Sequence, residues 1–80
     1  MALSITNSKI DGVIVVHLSG AIFFGEESTS LLVRVKALLG KSRQIVLELG
    51  NVTRIDSGGV GTLVALYVAA HKVGSSCDLL

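Results

Sequence analysis

Aromatic side chains are scarce in this 80-residue chain: Phe23, Phe24 and Tyr67 are the only ones, and there is no tryptophan. Half the residues are nevertheless apolar, so the core has to be aliphatic, built from Val, Leu and Ile. Cysteine occurs once, at Cys77, which excludes an internal disulfide and fits a reducing compartment. His17, His71 and Cys77 show no ligand spacing, so no metal is expected. Net charge is only +1, and Lys9, Arg34, Lys36, Lys41, Arg43, Arg54 and Lys72 are scattered along the chain. That pattern argues against capture of nucleic acid or of an anionic membrane. No apolar run approaches the ~20 residues that span a bilayer. The start, Met1-Ala2-Leu3-Ser4, has no basic stretch of the kind that opens a secretory signal. A cytoplasmic protein without direct membrane insertion is the expectation.

The length makes one domain, residues 1–80. A chain this short buries only about 60% of its unfolded surface, so its core is marginal. Leu3 to Lys9 alternates loosely, and Asp11-Gly12 is a strong hairpin signal. Val13 to Leu18 reads as a buried β-branched strand that Ser19-Gly20 ends. Glu26 to Leu39 reads as a helix with acidic Glu26 and Glu27 in its first turn, capped by Gly25 or Ser28. Its stripe is Leu31, Leu32, Val35, Leu38 and Leu39, and Gly40 is its stop. Gln44 to Leu49 is a short strand and Gly50 to Arg54 a loop. Gly59 to Val73 is a second helix with Val60, Leu63, Val64, Tyr67 and Ala70 as its inner face, closed by Gly74. Cys77 to Leu80 begins a fourth strand.

The order β-β-α-β-α-β predicts an α/β fold in two layers. Right-handed crossovers give a mixed four-stranded sheet in the order 1-2-3-4, with both helices on one face. Strand one is antiparallel to strand two and the others are parallel. The last strand is short and the chain very apolar, so the domain reads as truncated. An uncovered apolar face that seeks a partner, or another copy of the chain, is expected.

Small, polar and acidic residues concentrate in one place, Ile55-Asp56-Ser57-Gly58-Gly59-Val60-Gly61, where a strand gives way to a helix. Asp-Ser-Gly-Gly is ordinary turn and cap chemistry, and Asp56 or Ser57 suits the cap. Gly59 and Gly61 supply two glycines of a dinucleotide fingerprint, but Val64 stands where the third belongs. No Gly-Lys-Ser/Thr follows, so a P-loop fails as well. A serine nucleophile needs a base, and His17 and His71 lie in mid-strand and near a helix end. No enzyme and no cofactor is expected. What remains is a phosphosite: an exposed Ser57 at a helix N-terminus, whose dipole tolerates an added charge of about −1.5 to −2.

These residues carry a resemblance. The chain is similar to STAS domains of the anti-sigma-factor antagonist type over nearly its whole length. Val13-Ile14-Val15-Val16-His17-Leu18-Ser19-Gly20 resembles the family's second strand, and Gln44-Ile45-Val46-Leu47-Glu48-Leu49 its third. Ile55-Asp56-Ser57-Gly58-Gly59-Val60-Gly61 resembles the family's Asp-Ser-Ser/Ala-Gly-Leu/Val-Gly signature. The resemblance implies that Ser57 accepts phosphate from an anti-sigma factor that is also a serine kinase, and that a PP2C-type phosphatase removes it. It implies that Gly59 and Gly61 shape the helix entry and that Asp56, Ser57, Gly58, Gly59 and Gly61, with Phe23 and Phe24 in the loop after Gly20, contact the partner. Here that loop carries two phenylalanines where an acidic residue is frequent, and Gly58 replaces the second serine. The family's last helix is not matched. The alternatives are an unphosphorylated STAS module docked on a transporter ATPase and a stressosome-like assembly unit.

Overall fold

A computed structural model describes residues 3–80; Met1 and Ala2, half of the N-terminal tetrapeptide read above, lie outside the described residues. Asp11 and Gly12 both take positive φ, 53° and 82°, the pair of left-handed conformations that a two-residue hairpin requires. The turn sets the antiparallel register of β1 (Leu3–Ile10) on β2 (Val13–Ile22), from Ile10 opposite Val13 to Leu3 opposite Gly20. Along β2 the alternation sends Ile14, Val16 and Leu18 into the core and leaves Val13, Val15 and His17 half-buried on the other face.

Helix α1 (Glu26–Leu39) starts at Gly25, which caps it without a side-chain hydrogen bond. Ser28 is no cap: its hydroxyl is buried in the first turn and donates to the Phe23 carbonyl at 2.7 Å. Leu31, Val35 and Leu39, spaced four apart, form the buried line, with Leu32 and Leu38 at its margins. Strand β3 (Gln44–Ile55) follows and pairs parallel with β2, and its inward Ile45 and Leu47 are fully buried. Helix α2 (Ser57–Lys72) and strand β4 (Ser76–Leu79) complete the order, and the sheet runs β1-β2-β3-β4. One core contains the inward residues of the sheet and the buried residues of both helices, so both helices lie on one face. The two-layer α/β fold expected from the sequence is present.

Three readings change. Ser19-Gly20 does not end β2, and residues 50–54 are not a loop. Gly20, at φ 104°, and two register shifts on either side of Ser19-Gly20 bend the ladder without breaking it. Beyond the bend Ser19 pairs with Asn51, Gly20 with Val52, and Ile22 with Ile55. The second halves of β2 and β3 are strands because each pairs with the other. The third change is the rotation of α2, which buries Gly59, Leu66 and Ala70, with Leu63 half-buried. Val64 and Tyr67 are 57% and 60% exposed, and Val60 faces out with them. These outward residues, with Leu63, Cys77 and Leu79, line an open apolar groove of about 290 Å³ between α2 and β4.

No helix among the described residues is long and apolar enough to cross a membrane.

The rotation of α2 makes a direct prediction. Leu66→Ala removes a fully buried side chain and should cost about 2–5 kcal/mol. Val64→Ala, one turn-face away, should stay within about 0.5 kcal/mol. Urea midpoints for the two variants decide between the faces.

Candidate functional site

The carboxyl ends of β2 and β3 lie side by side, and α1 and α2 both begin there. The join at Asp56 therefore sits against the Phe23-Phe24 loop. Asp56 is the N-cap of α2, with extended backbone and its carboxylate folded back onto the helix. Oδ1 accepts the Gly59 amide at 2.7 Å, and both carboxylate oxygens accept the Phe24 amide at 3.1 Å. A weaker bond runs from the Asp56 amide to the Ile22 carbonyl at 3.4 Å. One residue thus ties three segments: its side chain holds the start of α2 and the loop between β2 and α1, and its amide holds the end of β2.

Charge–dipole bonding of this kind favours the ionised carboxylate. The Gly59 amide, then the Phe24 amide, hold the Asp56 carboxyl below its ordinary value of 3.8, and slight desolvation opposes them. Ser57 is the first residue of the helix and is exposed. Its hydroxyl makes no hydrogen bond among the described residues, whereas Asp56 already occupies the Gly59 donor.

The glycines of the join are not equivalent. A Cβ at Gly59 would stand 2.2 Å from the Ile22 carbonyl oxygen, so the helix rests backbone-on-backbone against the end of β2. A Cβ at Gly58 would stand 2.4 Å from the Cβ of Phe24. Gly58 therefore makes room for the Phe24 stem. Gly61 faces open space, where a Cβ would meet nothing. The two phenylalanines also part company: Phe23 is half-buried, while Phe24 is 80% exposed beside the serine.

The STAS domain family model matches residues 4–80. The chain belongs to the STAS domain family. No curated protein sequence matches it significantly. Among solved structures this STAS domain is similar to part of a protein called Mglu, with 25% identity, TM-score 0.81, 92% of this chain covered and 18% of that one. It is similar to an anti-sigma factor antagonist from Mycobacterium paratuberculosis, with 24% identity, TM-score 0.81, and 98% and 66% covered. It is also similar to the anti-sigma factor antagonist SpoIIAA in its unphosphorylated form, with 15% identity, TM-score 0.78, and 95% and 71% covered. The STAS domain thus spans about a fifth to a quarter of Mglu and about two thirds of the antagonists.

A polar array on the open face of the sheet escaped sequence reasoning. Ser8 Oγ lies 3.2 Å from His17 Nε2, and His17 Nδ1 lies 2.8 Å from Glu48 Oε1. The pairing registers place these residues on three adjacent strands. The order serine–histidine–carboxylate is that of an acyl-transfer triad. Here it lies on the face of the sheet opposite the helices, away from the join at Asp56. It ties the strands together, and such part-exposed pairs contribute little stability. The signal for it was available: the β2 alternation puts His17 on the solvent face, where strand neighbours supply partners.

Two predictions belong to the join. Gly59→Ala has no free direction to relax into and should destabilise by about 1–3 kcal/mol or more, whereas Gly61→Ala should stabilise by about 0.4–1 kcal/mol by restricting the unfolded chain; thermal unfolding of both reads the difference. The second concerns acid. The Asp56 carboxyl titrates lower in the folded than in the unfolded chain, so its stabilisation is complete above about 3.8 and is lost as pH falls through the lowered folded value. Asp56→Asn, which still caps, should remove that part of the acid dependence in urea titrations between pH 2 and 6 (roughly the window either side of the carboxyl values).

Proposed function

We propose that this chain is a non-catalytic, protein-binding regulatory domain of the anti-sigma-factor antagonist kind, switched by phosphorylation of Ser57. The observation that carries the reading is the placement of Ser57: an exposed, unbonded hydroxyl on the first residue of α2, flanked by the Asp56 cap and the exposed Phe24. The structural likeness to SpoIIAA, whose phosphorylated form has also been solved (15% identity, TM-score 0.75, 96% and 70% covered), supports it.

The switch works locally. Phosphate on Ser57 adds about −1.5 to −2 charges at a helix N-terminus, where the peptide dipoles partly offset it. Asp56 already holds the Gly59 amide, so the phosphate meets an anion on its inner side and is directed outward. The fold has no reason to change, because Ser57 bears on nothing in the core. A partner seated on Phe24 and the small-residue surface of Gly58 meets a hydrated dianion in place of a bare contact, and binding is lost by repulsion and desolvation. The partners are then a serine kinase that is itself an anti-sigma factor and a PP2C-type phosphatase, in the cytoplasm. The exposed Phe24 also suits a second reading, a STAS module that docks without phosphorylation, for example on a transporter ATPase.

Incubation with the cognate kinase and ATP should add one phosphate, and Ser57→Ala should abolish it. Intact-mass and peptide mapping read this, and phosphate on another residue overturns the switch. Ser57→Asp and Phe24→Ala should each weaken partner binding by about tenfold or more, as loss of an anchor of more than ~1.4 kcal/mol does, with unchanged circular dichroism. Loss with Phe24→Ala alone, and no phosphate at Ser57, favours the second reading.

A further inference from the structure

Most of the charges of this domain are sorted by end, although Arg54, at the carboxyl end of β3, and Asp11, in the hairpin at the other end, run against the pattern. Both helices run the same way, from the carboxyl ends of the parallel strands to their amino ends. Glu26, Glu27 and Asp56 lie at the helix starts, and Lys36, Lys41, Arg43 and Lys72 at the other end. The α1 helix alone separates the two ends by about 21 Å, fourteen residues at ~1.5 Å each. That is about two Debye lengths at physiological salt, so each end presents its own field. Helix dipoles account for Glu26, Glu27, Lys36 and Lys72. They account for Lys41 too, whose amide closes the last turn of α1 on the Leu38 carbonyl, but not for Arg43, which lies beyond it.

Lys36, Lys41 and Arg43 line an open groove of about 1120 Å³ between the α1–β3 and α2–β4 connections. Apolar Leu39, Ala69 and Val73 line it as well. Among the described residues none of these cations is paired with a carboxylate; the one ion pair is His17 with Glu48. What fits a groove of this composition is a projecting apolar side chain accompanied by carboxylates. The opposite end of the same molecule carries that combination in Phe24-Gly25-Glu26-Glu27, with Phe24 80% exposed.

We propose that the groove receives the Phe24–Glu27 segment of a second copy of this chain, in a head-to-tail contact. Because the two surfaces lie at opposite ends of the molecule, a head-to-tail contact leaves one groove and one Phe24 segment free and repeats from copy to copy. It competes with any partner that uses Phe24, and it requires no modification of Ser57, so its failure leaves the proposed switch standing. The contact is mainly electrostatic and shallow, so it is weak and salt-sensitive.

Sedimentation velocity on the 80-residue chain tests it. At about 20 mM salt, average mass should rise with concentration, and at about 0.5 M it should return to that of the monomer, as screening shortens from ~20 Å to ~4 Å. Lys41→Glu/Arg43→Glu and Glu26→Lys/Glu27→Lys should each stay monomeric alone, and mixing the two should restore association. If a reversed variant folds poorly by circular dichroism, Lys41→Ala/Arg43→Ala and Phe24→Ala take its place and should each abolish self-association. A wild-type monomer at low salt, association that survives salt and charge reversal, or a mixture of folded reversed variants that stays monomeric overturns the proposal.

Discussion

A helix laid backbone-to-backbone on the end of a strand can take only one rotation. Gly59 provides that constraint, because only a hydrogen at its α-carbon lets α2 approach the Ile22 carbonyl. The Asp56 carboxylate secures the contact by accepting amides from α2 and from the loop after β2. Once α2 is placed, Leu66 and Ala70 point into the core, and Val64 and Tyr67 point out. Ser57 is carried to the surface, and the Phe24 stem is held over Gly58.

The site follows from that geometry. A carboxylate that already caps the helix leaves the adjacent serine without an internal partner. Its hydroxyl is then free for chemistry that the fold does not feel. The same bonds that stabilise the join position the exposed Phe24, so an exposed ring and an unbonded hydroxyl come from one local arrangement. In the proposed switch, charge at this position changes what the surface offers and leaves the core unaltered.

Much of this was legible along the chain. Asp11-Gly12 announced the hairpin through its turn chemistry, and α1 announced itself through Leu31, Val35 and Leu39 at helical spacing. The Asp-Ser-Gly-Gly join located the start of α2 to within two residues. Other features were hidden for physical reasons. Helix α2 is apolar nearly all round, so periodicity could not choose its buried face. Ser19-Gly20 and Gly50-Asn51 look like chain breaks in isolation, yet each lies in a strand because the other segment pairs with it across a bulge. The Ser8–His17–Glu48 array spans three strands and has no local signature.

The order of elements, the aliphatic core and the helix cap beside Ser57 were determined by the sequence itself, since turns, caps and helical stripes depend on residues a few positions apart. The rotation of α2, the full length of β2 and β3, and the exposure of Phe24 over Phe23 were decided only in three dimensions. Each depends on contact between segments roughly thirty residues apart, Ile22 with Gly59 and Phe24 with Asp56 among them, and no window along the chain contains both partners.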